Sequence, residues 1–240
     1  MSRPQRGVAL LLVLWALALL SLLLGTLVLM VRQETRLALW QREHTQALLA
    51  AEAGIELAVR GSGDPAQRSR WVADGREQPL LFDRTRLRVS VRSERGKLDL
   101  NSASPDDIAK VAQALGGSAG QARVLAQSLT ARRTAGRAPF QALEELRQVP
   151  GVSAALYRQL LPELTLFSGL ESPEPAFASP GLRRALGLPS MPARGVDPGP
   201  VLSISSTAQL PDGFSVTLHS TVLLSINEGV RPYKVLRYSE

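Results

Sequence analysis

Residues 1–31 read MSRPQRGVALLLVLWALALLSLLLGTLVLMV, and this stretch decides the fold. A leader of seven residues is followed by 24 residues, 8–31, without a single charge. As a helix those residues would rise about 36 Å, which exceeds the roughly 30 Å hydrocarbon core of a bilayer. A secretory signal peptide would have a shorter apolar region and a small-residue cleavage site, whereas this region ends at Arg32. We therefore predict a transmembrane helix over residues 8–31, and Arg3 and Arg6 favour a cytoplasmic N-terminus.

The helix is expected to continue beyond the membrane into a soluble domain. After Val31, small or apolar residues recur at three-to-four spacing, which is typical of one helix face, and no proline interrupts residues 32–60. Gly61–Pro65 then ends the helix. We predict a single helix over residues 8–60, about 80 Å long, whose second half is amphipathic. Four small residues of that half would let a sheet approach closely: Ala50, Ala51, Ala53 and Gly54.

Alternating residues predict strands on both sides of a helical middle. Between Pro79 and Arg95 apolar or β-branched residues alternate with arginines, and Leu80–Phe82 is the expected hairpin partner. The predicted C-terminal strands are Val201–Ser206, Phe214–Ile226 and Pro232–Tyr238. The outward residues of the first strand are Arg84, Arg86, Arg88, Ser90 and Arg92. This row is compatible with nucleic-acid binding, although a solvated face that also protects a sheet edge is the commoner arrangement.

The middle of the chain carries the signals of an all-α domain. A helix is predicted to start near residue 105. Ser104 is the N-cap, Pro105 takes the first helical position and Asp107 places an acid in the first turn. The predicted helices cover residues 105–115, 118–133, 141–148 and 153–161. These signals predict helices joined in hairpins between the two groups of strands.

The turn Pro150-Gly151-Val152 resembles the turn of a helix-hairpin-helix motif. In DNA-binding members of that class the backbone amides of the turn hold a phosphate at a helix N-terminus. Here Ser153 stands where the second glycine of the turn usually lies, and the first hairpin has only Gly116-Gly117. Both departures weaken phosphate binding and favour protein contact.

Residues 171–200 are predicted to be loop, because they hold seven prolines, with a short helix over Gly181–Leu186. The acidic residues of this segment are Glu171, Glu174 and Asp197. They are candidates for binding Ca²⁺, which prefers carboxylate and carbonyl oxygens. Their spacing is irregular, and solvated loop carboxylates are the commoner alternative.

The composition excludes several classes of site. The chain has no cysteine, which rules out disulfides, thiolate metal sites and cysteine nucleophiles. Its two histidines, His44 and His219, are far apart in sequence, and no nucleophile elbow, phosphate loop or metal-ligand cluster occurs. We therefore expect that the protein is not an enzyme and needs no cofactor. The net charge of +7 suits anionic lipid or nucleic acid, but general surface charge is the commoner cause.

The N-terminus resembles those of type IV prepilins and pseudopilins, which have a short basic leader ending in glycine and then an apolar helix that runs into a soluble domain. The resemblance implies that prepilin peptidase cleaves between Gly7 and Val8 and that the new amine of Val8 is methylated. Most members carry Glu at the fifth mature position, which here is Leu12. In the family that Glu pairs with the N-terminal amine of a neighbouring subunit, and an unpaired carboxylate in a bilayer is costly. Leu12 therefore fits a subunit without such a neighbour, at the tip of a filament.

The order of parts resembles the GspK family of minor pseudopilins in type II secretion systems, which lack that Glu. The resemblance rests on the N-terminus, on LDLNSAS at 98–104 before a helical insertion, and on PYKVLRY at 232–238. It implies an α+β fold in which a long N-terminal helix, transmembrane and then amphipathic, packs on an antiparallel sheet with an inserted all-α domain. The chain is short for that family, so the insertion is expected to be reduced.

The function implied by the resemblance is to cap the tip of the pseudopilus and to help initiate its assembly for export of folded proteins. The implied partners are GspI- and GspJ-like minor pseudopilins, prepilin peptidase and inner-membrane lipid, without nucleic acid. The protein would cross the bacterial inner membrane once, with its soluble domain in the periplasm. Helix pairing within the lipid would use close packing of small residues. The small residues available are Ala16, Ala18, Ser21, Gly25 and Thr26.

These interpretations divide the chain into consecutive parts. They are the leader 1–7, the transmembrane helix 8–31, the amphipathic helix 32–60, the first strands 61–97, the inserted helical domain 98–170, the Pro-rich loop 171–200 and the C-terminal strands 201–240.

Two alternatives to a pseudopilin remain open at this point. A membrane-anchored DNA receptor of the competence type is one, because LDLNSAS followed by two hairpins also resembles that class. It predicts DNA binding that weakens as salt screens the phosphates. A single-pass envelope scaffold with an uncleaved leader is the other. The pseudopilin interpretation predicts instead a processed N-terminus and a stable complex with partner minor pseudopilins.

Overall fold

The computed structural model describes residues 5–64, 66–224 and 233–240. The first four residues of the predicted leader lie outside the described residues. The end of the strand predicted over Phe214–Ile226 and the start of the strand predicted over Pro232–Tyr238 also lie outside them. The helices are α1 (Gln5–Gly63), α2 (Pro105–Ala114), α3 (Ala119–Thr134), α4 (Ala154–Leu160) and α5 (Pro180–Leu186). The strands are β1 (Asp74–Phe82), β2 (Thr85–Ser93), β3 (Leu98–Asp99), β4 (Leu164–Thr165), β5 (Val201–Gln209), β6 (Ser215–Leu224) and β7 (Tyr233–Ser239).

Helix α1 is unbroken over 59 residues, a length of about 88 Å. It runs from the apolar half into the amphipathic half, as predicted, and ends at Gly63 rather than Arg60. Every side chain over residues 10–27 is exposed. Within the described part of the chain, α1 is the one helix long and apolar enough to cross a membrane. Farther along, one side is buried through Ala47, Ala50, Ala51, Ile55, Ala58 and Val59.

The buried side of α1 packs on a five-stranded antiparallel sheet with the order β1-β2-β5-β6-β7. The alternation predicted for β2 is confirmed, because Leu87, Val89 and Val91 are buried against the helix. On the neighbouring strands, Leu202, Ile204 and Leu218 complete this first core. The predicted α+β architecture, a long helix on an antiparallel sheet, is therefore confirmed.

The small residues of α1 allow the helix to lie close to the sheet, as predicted. Ala50, Ala51 and Gly54 are buried, whereas Ala53 is only half-buried. A Cβ on Gly54 would lie 2.2 Å from the Oγ of Ser206 on β5, so no larger residue fits there without a shift. At Gly54 the backbone of the helix therefore lies directly against β5.

The opposite face of the sheet is polar. Arg86 and Arg88 of β2 point to this side and are exposed, and Arg84 lies in the turn before the strand. The predicted solvated face is therefore confirmed, but β2 lies between β1 and β5, so the expectation that its arginines protect a sheet edge is wrong. The edges of the described sheet are β1 and β7.

The chain between β2 and β5 forms a helical subdomain with its own core. A short parallel ladder closes its base, where Leu98 of β3 pairs with Leu164 of β4. The carboxylate of Asp99 fixes this base by accepting hydrogen bonds from the N–H groups of Asn101 (2.8 Å) and Gly169 (2.9 Å). The core residues above it include Leu100, Ile108, Val111, Leu125, Leu129, Leu146, Leu160 and Leu182.

The helices of the subdomain differ from the prediction in one place. The segment predicted as a helix over 141–148 is a 3₁₀-helix that begins at Leu143 and ends at Gln148. The short helix predicted over Gly181–Leu186 is observed as α5, whose Leu182 is buried in the core of the subdomain. The helical subdomain therefore extends beyond its predicted limit at residue 170.

Candidate assembly surface and membrane anchor

The predicted processing junction lies in the first turns of α1. The backbone of Gly7 and Val8 is helical, and the side chain of Val8 lies outside the described part of the structure. Leu12 follows one turn later and is exposed, as are its apolar neighbours on every side of the helix. The fifth residue after the junction therefore presents an apolar surface to a lipid bilayer or to another helix.

The small residues of the membrane-length half do not share one face. Ala18, Ser21 and Gly25 are spaced by three and four residues and so lie on the same side of α1, whereas Ala16 lies on the opposite side. The hydroxyl of Thr26 donates a hydrogen bond to the carbonyl oxygen of Leu23 (2.8 Å), so its polar group is already satisfied. Close helix packing could therefore use the side formed by Ala18, Ser21 and Gly25.

The amphipathic half of α1 also keeps large apolar side chains exposed. These side chains are Leu37, Leu39, Trp40, Leu49 and Leu57. The indole of Trp40 stacks on the ring of His44 at 5.0 Å, and Phe214 meets the edges of both rings. Exposed apolar side chains along a helix that is already packed on its own sheet mark a surface for contact with other proteins or with a membrane.

The last strand is tied to the exposed side of α1 by two tyrosines. The hydroxyl of Tyr233 is hydrogen-bonded to the carboxylate of Glu56, and that of Tyr238 to the carboxylate of Glu52 at 3.3 Å. The hydrogen bond to Glu56, together with burial and the charges of Glu56 and Glu52, raises the pKa of Tyr233 to about 12. The edge strand β7 is therefore held to the helix by side chains as well as to β6 by its backbone.

A β-bulge in β7 allows both tyrosines to reach α1. Residues five apart in a strand normally point to opposite faces, because side chains alternate. In β7 the pairing passes from Arg237 to Val235, so one residue bulges out and the alternation is reset between the two tyrosines. The strand pattern does not predict this contact. In the sequence, only the spacing of Glu52 and Glu56, four residues apart on one side of α1, indicates a polar contact at this position.

A buried ion pair joins the sheet to the helical subdomain. Glu94 follows β2 and is only 2% exposed. Its carboxylate accepts hydrogen bonds from the Nζ of Lys97 (2.5 Å), from the Oγ of Ser203 on β5 (2.5 Å) and from the hydroxyl of Thr165 on β4. Because both units contribute partners to one carboxylate, Glu94 fixes how the subdomain is attached to the sheet.

The hairpin turn Pro150-Gly151-Val152 packs against α3 of the subdomain. Gly151 has a φ of +92°, and a Cβ there would lie 2.7 Å from the carbonyl oxygen of Gln121 on α3. The N–H of Leu156 bonds to the Oγ of Ser153 (3.1 Å), which caps α4. The glycine is therefore required by hairpin packing, and no phosphate is needed to explain it.

The three calcium candidates are not brought together. Within the described residues no group of three acidic or histidine side chains could hold a metal ion. The guanidinium of Arg95 lies between two of the candidates, with its Nε 3.0 Å from the carboxylate of Glu174 and its Nη1 3.4 Å from the carbonyl oxygen of Asp197. Glu171 is exposed and has no part in this arrangement. A cationic side chain thus pairs with the carboxylate of Glu174 and contacts the backbone of Asp197.

Comparison with solved structures agrees with the architecture described above. The fold is similar to a chain in the crystal structure of the GspK-GspI-GspJ complex of the enterotoxigenic Escherichia coli type 2 secretion system, with a TM-score of 0.55. The two chains are 14% identical, and the similarity covers 83% of this chain and 97% of that one. No family model matches the sequence, and no curated protein matches it. The similarity shows a pseudopilin-like fold.

Proposed function

We propose that the protein is a minor pseudopilin of the GspK type that caps the tip of a type II secretion pseudopilus and helps to initiate its assembly. The observation that carries the proposal is the continuity of α1. One helix passes without a break from a half of membrane length into a half that packs on the antiparallel sheet. The similarity of the whole fold to a chain of a GspK-GspI-GspJ complex supports this interpretation.

The proposed pathway begins at the N-terminus. Prepilin peptidase would cleave between Gly7 and Val8, and the amine of Val8 would be methylated. The protein would sit in the bacterial inner membrane with its N-terminus in the cytoplasm and its soluble domain in the periplasm. In this arrangement, inner-membrane lipid would surround the exposed apolar side chains of residues 10–27.

Leu12 supports a position at the tip. A subunit within a filament uses a carboxylate here to pair with its neighbour's amine, whereas a terminal subunit would leave that carboxylate unpaired in the lipid. The helical subdomain supports the same position. It is attached firmly to the sheet through Glu94 and adds a second core beside it, so its bulk would prevent another subunit from stacking above.

The proposed role is assembly rather than catalysis. GspI- and GspJ-like pseudopilins are the proposed partners, and the exposed apolar side chains of α1 are the surface they would contact. We propose no enzymatic activity and no resident cofactor. Packing accounts for the glycine of the hairpin turn, so the turn gives no support to DNA binding.

Co-expression tests this function against the DNA-receptor alternative. The full chain, produced in membranes with the GspI- and GspJ-like proteins of the same secretion system, is expected to be purified with both as one stable complex. The same preparation is expected to bind double-stranded DNA no better at low salt than at high salt. Failure to recover either partner would contradict the tip-complex proposal. Salt-sensitive DNA binding would favour the receptor.

A further inference from the structure

A concave pocket of about 450 Å³ lies between the start of the β1-β2 hairpin and the segment around α5. Its charged lining is strongly basic: four arginines and one carboxylate. The arginines are Arg76, Arg92, Arg183 and Arg194, and the carboxylate is Asp74. This pocket could not be predicted from the sequence, because its arginines lie on segments that are far apart along the chain.

The single carboxylate of the pocket is already neutralised. Asp74 accepts hydrogen bonds from the backbone N–H of Arg76 and from its Nη2, both at 2.9 Å. Among the described residues, Arg92, Arg183 and Arg194 have no acidic partner. Three positive charges in one concavity therefore remain uncompensated.

Two of these cations lie against the backbone. Gly75 has a φ of +84°, and a Cβ there would lie 2.9 Å from the Nε of Arg92, so the guanidinium packs directly against this glycine. The Nη1 of Arg183 donates a hydrogen bond to the carbonyl oxygen of Ala178 (3.0 Å). Positioned guanidinium groups bind carboxylates strongly, because they offer paired N–H donors in a fixed geometry.

The location of the pocket excludes the anchoring membrane as its ligand. An adjoining pocket shares Ser69 and Arg194 with it and reaches Ser62 in the last turn of α1. Gly63 lies 32 residues beyond Val31, which corresponds to about 48 Å of helix. The pocket therefore lies at the end of α1 away from the predicted span, beyond the reach of lipid headgroups.

We propose that this pocket binds an acidic segment of a protein partner through the carboxylates of Asp or Glu side chains. Its three arginines without an acidic partner come from separate elements, β2, α5 and the loop after α5, and line one concavity. A binding site for single-stranded nucleic acid would instead follow the backbone as a groove and offer exposed aromatic rings for base stacking. Phe177 is the pocket's one aromatic residue, and it is buried. This proposal is independent of the proposed function, since it uses only the charge and shape of the pocket.

The test uses the full chain in detergent micelles and a fluorescently labelled oligoglutamate peptide. Binding is measured by anisotropy for the wild type and for Arg92→Gln, Arg194→Gln and Arg86→Gln. Arg86 is the matched control, because it lies on the same strand as Arg92 but is exposed outside the pocket. We expect about tenfold weaker binding for each pocket variant and a change below about twofold for the control.

The outcomes separate the pocket from general surface charge. Selective loss in the two pocket variants, with binding that weakens as salt rises, would support the proposal. Equal loss in all three variants, or no binding by the wild type, would overturn it. The proposal would also be overturned if a single-stranded oligonucleotide bound more tightly than oligoglutamate and lost its binding in the Arg92 and Arg194 variants. Arg194 is exposed in a loop, so its variant is expected to fold even if Arg92→Gln does not.

Discussion

At the scale of the residue, Gly54 determines how α1 and the sheet meet. A Cβ there would lie 2.2 Å from the Oγ and 3.3 Å from the Cβ of Ser206, and 3.1 Å from the Cγ2 of Val89. Ser206 is fully buried, and its hydroxyl has no hydrogen-bond partner among the described residues. The loss of stability caused by a larger residue at position 54 therefore depends mainly on the hydroxyl of Ser206, which forms no hydrogen bond among the described residues.

Gly54→Ala is expected to lower the free energy of unfolding by about 1–3 kcal/mol, because the added methyl group overpacks the helix–sheet contact. Ser206→Ala in the same chain is expected to restore most of that loss by removing the clashing oxygen and an unsatisfied buried hydroxyl. Urea unfolding of the full chain in micelles measures both. Gly63→Ala is the control, since nothing lies within 4 Å of a Cβ there. A loss at Gly54 that Ser206→Ala fails to relieve would contradict this contact.

At the scale of the element, local patterns predicted most of the fold. Period-two alternation identified β2, and the N-cap at Ser104 placed the start of α2 at Pro105, where it is observed. The unbroken helix followed from the absence of proline over residues 32–60. These features depend on residues that are close together in sequence, so they can be predicted from local sequence patterns alone.

Features that depend on distant residues could not be predicted in this way. The tyrosines of β7 meet Glu52 and Glu56 across about three quarters of the chain, and a bulge brings them to the same face. The short helix at α5 was predicted, but the burial of its Leu182 in the helical subdomain was not, because that contact joins residues distant in sequence. The arginine pocket likewise exists only once the fold has brought separate elements together.

The tether of β7 to α1 is expected to weaken at high pH. The pKa of Tyr233 is raised in the folded protein to about 12 from an ordinary value near 10. A group whose folded pKa is raised stabilises the fold below its unfolded pKa, and this contribution is lost as the pH rises toward the folded value. The wild type should therefore lose more stability between about pH 10 and 12 than Tyr233→Phe does. Parallel curves of unfolding free energy against pH for the two proteins would contradict the tether.

The hairpin turn gives a second prediction at this scale. Gly151→Ala is expected to cost roughly 2 kcal/mol or more, because it combines a positive φ with a clash against the backbone of α3. Gly136→Ala is the matched control, since Gly136 has a φ of +63° but open space around it. Thermal unfolding should show the larger loss at Gly151. Equal losses would mean that the turn is not packed against α3 and that its glycine serves another purpose.

At the scale of the whole molecule, the protein is one long helix that carries two cores. The first core lies between α1 and the sheet, and the second lies inside the helical subdomain. Glu94 and its partners join them, and the exposed apolar half of α1 extends away from both. This arrangement suits a subunit that is anchored by one end and presents a bulky, rigid body at the other.

The mass of the mature N-terminus tests the proposed function most directly. The full chain is co-expressed with a prepilin peptidase and analysed by intact-mass and N-terminal peptide spectrometry, together with Gly7→Val and, as a control glycine within the same helix, Gly25→Val. We expect the wild type and the control to begin at Val8 with one added methyl group, and Gly7→Val to keep its leader. An intact Met1 in the wild type, or a cut at any bond other than Gly7-Val8, would contradict the assignment as a pseudopilin.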